Sequence, residues 1–125
     1  MKSKASLVLP VATVLLFGCA TLDDMRKRPS SLELTSSHPA QRVAICIADK
    51  WGDATKLRLP AGYPIDMRPT QRGYSVSAIA RNLFEASTGA LADIDDTPSG
   101  STTRYFKNGI LGADEPFDKA VKECQ

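Results

Sequence analysis

The sequence predicts an α+β domain, an antiparallel sheet of about four strands with an N-terminal and a C-terminal helix packed on one face. Three observations predict it. Apolar residues recur at helical spacing in Ala40, Val43, Ile47 and Trp51, and again in Phe117, Val121 and Cys124. Between these stretches, period-two alternation returns in short runs punctuated by Pro and Gly. The chain has 125 residues, room for one domain.

The first element is not part of that domain. Lys2 and Lys4 precede an apolar run from Ala5 to Phe17, and Leu16-Phe17-Gly18-Cys19 follows, which together are the zones of a secretory leader. The apolar run is shorter than the roughly 20 residues needed to span a bilayer core. Leu16, Gly18 and Cys19 resemble the lipobox of bacterial lipoproteins, in which the thiol takes a diacylglyceryl group and the leader is cut before it. Phe17 is bulkier than the residue usual at its position. The resemblance implies a signal peptide over 1–18, cleavage between Gly18 and Cys19, and a membrane anchor on Cys19. Ala20 stands where an Asp commonly retains lipoproteins in the inner membrane, so the resemblance implies the outer membrane, facing the periplasm.

Residues 19–36 read as a flexible tether, polar and poor in apolar periodicity, with Arg26-Lys27-Arg28 a solvated charge run. The domain then occupies residues 37–125. Its first helix is predicted to begin near Ser37 and His38, with Ser as N-cap and Pro39 in the first turn, and to end at Gly52. Pro60 and Gly62 argue for a loop. Tyr63, Ile65 and Met67 alternate with polar neighbours as a half-buried strand that Pro69 stops. After a turn at Thr70 to Gly73, Tyr74, Val76, Ala78 and Ala80 alternate as the second arm of a hairpin. The stretch 79–86 suits either strand or helix, and a strand ending near Arg81 is preferred. Leu91 to Asp95 and Thr102 to Phe106 flank Thr97-Pro98-Ser99-Gly100, a second predicted hairpin. Asp114 caps the last helix, with Glu115 and Pro116 in its first turn.

A folded unit of this size buries only about 60 to 65 per cent of its unfolded surface, so a covalent staple is expected. Excluding Cys19 leaves Cys46 and Cys124, an even pair in an oxidising compartment. Cys46 lies beside Val43 and Ile47 on one apolar stripe and Cys124 shares a face with Phe117 and Val121. We expect one bridge, worth roughly 4 to 5 kcal/mol for a loop of about 79 residues.

Val43-Ala44-Ile45-Cys46-Ile47 with Trp51, then Gly73-Tyr74, Asp93-Ile94, Gly100-Ser101, Tyr105 and Cys124 are similar to a set of uncharacterised small bacterial lipoproteins. That resemblance supports the fold and the disulfide and carries no activity.

The chemistry is sparse. The chain has 16 Lys and Arg against 14 Asp and Glu, and losing Lys2 and Lys4 with the leader lowers 16 to 14, so the mature protein is neutral. That balance gives no case for nucleic acid. A serine or cysteine hydrolase needs a base, and the only His is His38 at a predicted helix start. Asp93, Asp95 and Asp96 suggest a calcium loop, but the EF-hand pattern wants Gly and Glu where Pro98 and Arg104 stand. No metal, cofactor or enzymatic activity is therefore expected. Arg58, Tyr63, Arg68, Arg72 and Tyr74 gather around the first hairpin, the residue types enriched at binding surfaces. The expected role is a membrane-anchored, non-catalytic structural or interaction module whose partner is an envelope protein or cell-wall component. A periplasmic inhibitor of a cell-wall lytic enzyme and a small-molecule binding lipoprotein are the alternatives.

Overall fold

The computed structural model describes residues 22–56, 64–81, 86–108 and 115–125. The element order is α1 (Leu22–Arg26), β1 (Leu32–Ser36), α2 (Ala40–Lys56), β2 (Ile65–Pro69), β3 (Gly73–Arg81), β4 (Ala86–Thr97), β5 (Gly100–Lys107) and α3 (Glu115–Glu123). One antiparallel sheet of five strands runs in the order β1-β5-β4-β3-β2. The α+β class matches the expectation, and the strand count is corrected from about four to five.

The extra strand comes from the segment read as tether. Leu32, Leu34 and Ser36 are half-buried while Glu33 and Thr35 are exposed, so five residues suffice to line the sheet edge once β5 supplies a ladder from Leu32↔Tyr105 to Ser36↔Ser101. Just upstream, α1 buries Met25. The tether expectation over 19–36 thus fails for residues 22–36, which belong to the folded body.

Alternation sorts the sheet into two faces. Val76, Ala78, Ala92, Ile94 and Tyr105 bury in one cluster with Val43, Ile47 and Trp51 of α2 and Phe117 and Val121 of α3. Trp51 has no exposed surface, its indole N–H donates to the Phe117 carbonyl at 3.2 Å, and its ring lies 5.6 Å from Phe117 and 6.0 Å from Tyr105. These tilted contacts suit aromatic quadrupoles. Cys46 on α2 and Cys124 at the end of α3 form the expected disulfide, with 5.7 Å between alpha carbons and a sequence separation of 78. On the opposite face a smaller cluster unites Met25 with Leu91 and Phe106, which pair across β4 and β5.

Several boundaries move. Helix α2 starts at Ala40, and its cap is not Ser37 but Asp96, whose Oδ1 accepts the Ala40 N–H at 2.8 Å from the far end of β4. The Pro39 carbonyl accepts the Val43 N–H at 3.3 Å, which puts Pro39 at the helix start as expected. The helix runs through Gly52 to Lys56, where Thr55 Oγ1 donates to the Gly52 carbonyl at 2.9 Å. Pro69 closes β2 instead of lying beyond it; on this edge strand a residue without an N–H costs the ladder nothing. Strand β4 is longer than expected because Ala86, Ser87 and Thr88 pair with β3 across a register shift after Ala78. The predicted loop around Pro60 and the Asp114 cap lie outside the described residues.

Two glycines are imposed by contact. A Cβ on Gly73 would collide with the Ile94 carbonyl oxygen. At Gly100, φ is +149° and a Cβ would meet the Ser36 carbonyl oxygen, where the second hairpin turns beneath the β1 edge.

Candidate functional site

The face of the sheet opposite Val76, Ala92, Ile94 and Tyr105 carries a polar patch. Ser75 and Ser77 on β3, Asp93 and Asp95 on β4 and Arg104 on β5 point to it, because they alternate with Val76, Ala92, Ile94 and Tyr105. Helix α1 lies across part of it. Met25 seats on Leu91 and Phe106, so the next residue, Arg26, reaches over β4 and β3.

Arg26 ties α1 to the patch through Asp93. Its Nε donates to Asp93 Oδ2 at 2.7 Å and its Nη2 to Asp93 Oδ1 at 2.8 Å, a two-pronged geometry that matches guanidinium to carboxylate. The same Nη2 lies 3.1 Å from Ser75 Oγ. The bond to Asp93 raises the guanidinium pKa above its ordinary value, against the opposing effect of partial burial. Asp93 is only 5% exposed, so the pair welds α1 to the sheet. The reading of Arg26-Lys27-Arg28 as a solvated run holds for the exposed Lys27 and Arg28 and fails for Arg26.

Beside this pair opens a cleft of about 360 Å³ between Arg26, Thr70, Arg72, Asp93, Asp95 and Arg104. Arg104 Nη2 stands 3.7 Å from Asp95 Oδ2 and 4.0 Å from Asp93 Oδ2. The rim is the β2–β3 turn, where Thr70 N donates to the Gly73 carbonyl at 2.9 Å and Thr70 Oγ1 accepts the Gly73 N–H at 3.0 Å. The Arg72 carbonyl accepts the Asp96 N–H at 2.8 Å, tying the turn to the end of β4.

The five residues expected to form one binding surface divide. Arg72 lines the cleft. Arg68 is exposed one strand away and pairs with Asp66 through Nε. Tyr74 turns to the other side of the sheet, half-buried against the main core, and is removed from the surface. Arg58 and Tyr63 lie outside the described residues, as do Gly18 and Cys19. Arg26, Asp93, Asp95 and Arg104 were not foreseen as a site. Asp93, Asp95 and Arg104 share a parity within the second hairpin, a signal that alternation could have supplied; Arg26 joins them only through long-range packing.

His38 contributes its backbone: its N–H donates to Ser36 Oγ at 3.1 Å and its carbonyl accepts the Ser101 hydroxyl at 2.7 Å. Among the described residues, no three His, Cys, Asp or Glu side chains gather as a metal site, and no helix is long and apolar enough to cross a membrane. In comparisons with family models, curated proteins and solved structures, the chain has no significant match.

Proposed function

We propose that the chain is an envelope lipoprotein, anchored through Cys19 after loss of residues 1–18 and held at the outer membrane facing the periplasm. Its domain acts as a non-catalytic interaction module for an envelope protein or cell-wall component. The observation that carries this reading is the Cys46–Cys124 disulfide, because such bonds persist in exported proteins and are rare where glutathione keeps thiols reduced. In this reading α2 and α3 occupy one face of the sheet, and the opposite face, with its arginine-rich cleft, is left for a partner. Only Ala20 and Thr21 separate Cys19 from α1, so the anchor holds the domain close to the bilayer.

The test is fractionation. Cys19→Ala is expected to release the domain from the membrane pellet, and affinity capture from the native envelope is expected to recover a partner with wild type. A Cys19→Ala variant that stays in the pellet, or two free thiols per mature chain without reductant, would remove the basis of the reading.

One observation favours a second reading, an inhibitor of a cell-wall lytic enzyme. The Thr70-Gln71-Arg72 turn is exposed and internally hydrogen-bonded, a rigid tip of the kind that enters an active site. Inhibition of a muralytic enzyme by the wild type and its loss in Arg72→Ala would decide for it. The small-molecule alternative calls for an apolar pocket, whereas the cleft beside Arg26 is lined by charged and polar groups.

A further inference from the structure

We propose that the outer-face cleft binds the carboxylate of an acidic peptide segment, with Arg72 and Arg104 as paired donors. This rests on the reading of the outer face as the protein's interaction surface and names the ligand chemistry of that surface. The three guanidinium groups of the cleft are not equivalent. Arg26 is already engaged, with Nε and Nη2 on the two oxygens of Asp93. Arg104 is held within ion-pairing range of Asp95 and Asp93, at 3.7 and 4.0 Å, yet beyond hydrogen-bond distance, and its side chain is 43% exposed. Arg72 is exposed and forms no ion pair with the described residues. Two arginines therefore face the same space with donors to offer.

Charge selects the ligand. Arg26 is paired with Asp93 and Asp23, and Arg104 stands beside Asp95, which leaves the Arg72 guanidinium to be matched by a single incoming carboxylate. A phosphate dianion would bring a second negative charge against the two aspartates. Guanidinium suits a carboxylate through two parallel N–H···O bonds. Asp95, with 26% of its side chain exposed, is placed to accept an N–H from the peptide backbone flanking that carboxylate. A cleft with one guanidinium to spare beside two aspartates suits a single carboxylate better than the closely spaced phosphates of a nucleic acid. The site is also set before binding: the Thr70 and Asp96 hydrogen bonds fix the backbone of the turn that carries Arg72, which lowers the ordering cost of association.

The experiment is an amide NMR titration of the full chain in detergent micelles. The probe is a tripeptide with acetyl and amide ends and a central glutamate; the same peptide with central glutamine, and inorganic phosphate, are the comparisons. The glutamate peptide is expected to give saturable shifts at the Arg72, Gly73, Asp95 and Arg104 amides, and the glutamine peptide none. Arg72→Gln is expected to weaken binding by about tenfold or more, the effect of losing a charge-assisted hydrogen bond. Because Arg72 is exposed, amides outside the cleft should keep their wild-type positions, which separates lost binding from lost fold. Arg104→Gln provides a second, independent reduction. Absence of cleft shifts with the glutamate peptide, phosphate binding as tightly as the peptide, or an unchanged affinity in Arg72→Gln would each overturn the proposal. A silent titration alongside continued capture of an envelope partner by the same chain would overturn the carboxylate assignment alone and leave the interaction reading in place.

Discussion

Removing the Cys46–Cys124 bond by the double substitution Cys46→Ala, Cys124→Ala is the most direct test of what holds this domain together. The bond closes a loop with a sequence separation of 78. On the chain-entropy model, freeing a loop of that length in the unfolded ensemble costs about 4.5 kcal/mol at 25 °C. For a domain near 100 residues each kcal/mol lowers Tm by roughly 4 to 8 °C, so the variant should melt about 18 to 36 °C below wild type. Cys124 is only 5% exposed and Cys46 is half-buried, so the lost sulfur contacts add to the entropic term. The chain has one tryptophan, Trp51, sealed between Tyr105 and Phe117 next to the crosslinked helices, so its fluorescence reports the transition without a label. Wild type in reductant should fall to the same Tm as the double variant. A decrease of less than about 5 °C in either sample would refute the closed-loop reasoning and show the core to be self-sufficient.

Other substitutions probe single contacts. Asp93→Ala leaves Arg26 without its two-pronged acceptor, so α1 should lift and trypsin should cut after Arg26 or Lys27 faster than in wild type, with global stability lower by about 1.5 to 3 kcal/mol. Unchanged cleavage kinetics would mean that Met25 alone seats the helix. Gly73→Ala forces a methyl into the Ile94 carbonyl oxygen and should destabilise by about 2 to 4 kcal/mol in urea unfolding; an unchanged midpoint would show that the strands separate at no cost there. Glu123 has its pKa lowered by the hydrogen bond from Lys50, so this contact stabilises above the ordinary glutamate pKa and loses its contribution as pH falls through the lowered value. In Lys50→Met the Glu123 carboxyl should titrate at higher pH by carbon NMR. No movement would assign the shift to other neighbours.

What could be read in advance follows from how local each signal is. The two hairpins announced themselves because Val76 and Ala78, and Thr103 and Tyr105, alternate with polar residues and flank turn chemistry at Thr70 to Gly73 and at Pro98-Ser99-Gly100. The disulfide was legible because Cys46 and Cys124 sit on apolar helical stripes. Strand β1 was not, since Leu32 and Leu34 are two apolar residues in five, and only the ladder from β5 makes them a strand. Gly52 looked like a helix end, yet a glycine with open space around it is tolerated when Thr55 beyond it is buried. Tyr74 illustrates the converse error: grouping by residue type placed it with the arginines, whereas strand parity sends it to the core. The cleft needs Arg26 and Asp93, 67 residues apart, and no local pattern links them.

The position of the crosslink divides the chain mechanically. Residues 46–124 lie inside a covalent ring, while α1, β1 and the first turns of α2 lie outside it on the side of Cys19. A pull transmitted from that end meets a five-residue helix, one edge strand and the first turns of α2 before it reaches the ring. The 24 residues from Leu22 to Ile45 can then pay out as extended chain, roughly 80 Å at about 3.4 Å per residue, while the ring stays shut. Force spectroscopy on a chain tethered near residue 19 should show one short rip of that length, and a rip spanning the whole domain would contradict it. An element that serves as ordinary sheet edge at rest would act under load as an extensible, self-rewinding spring.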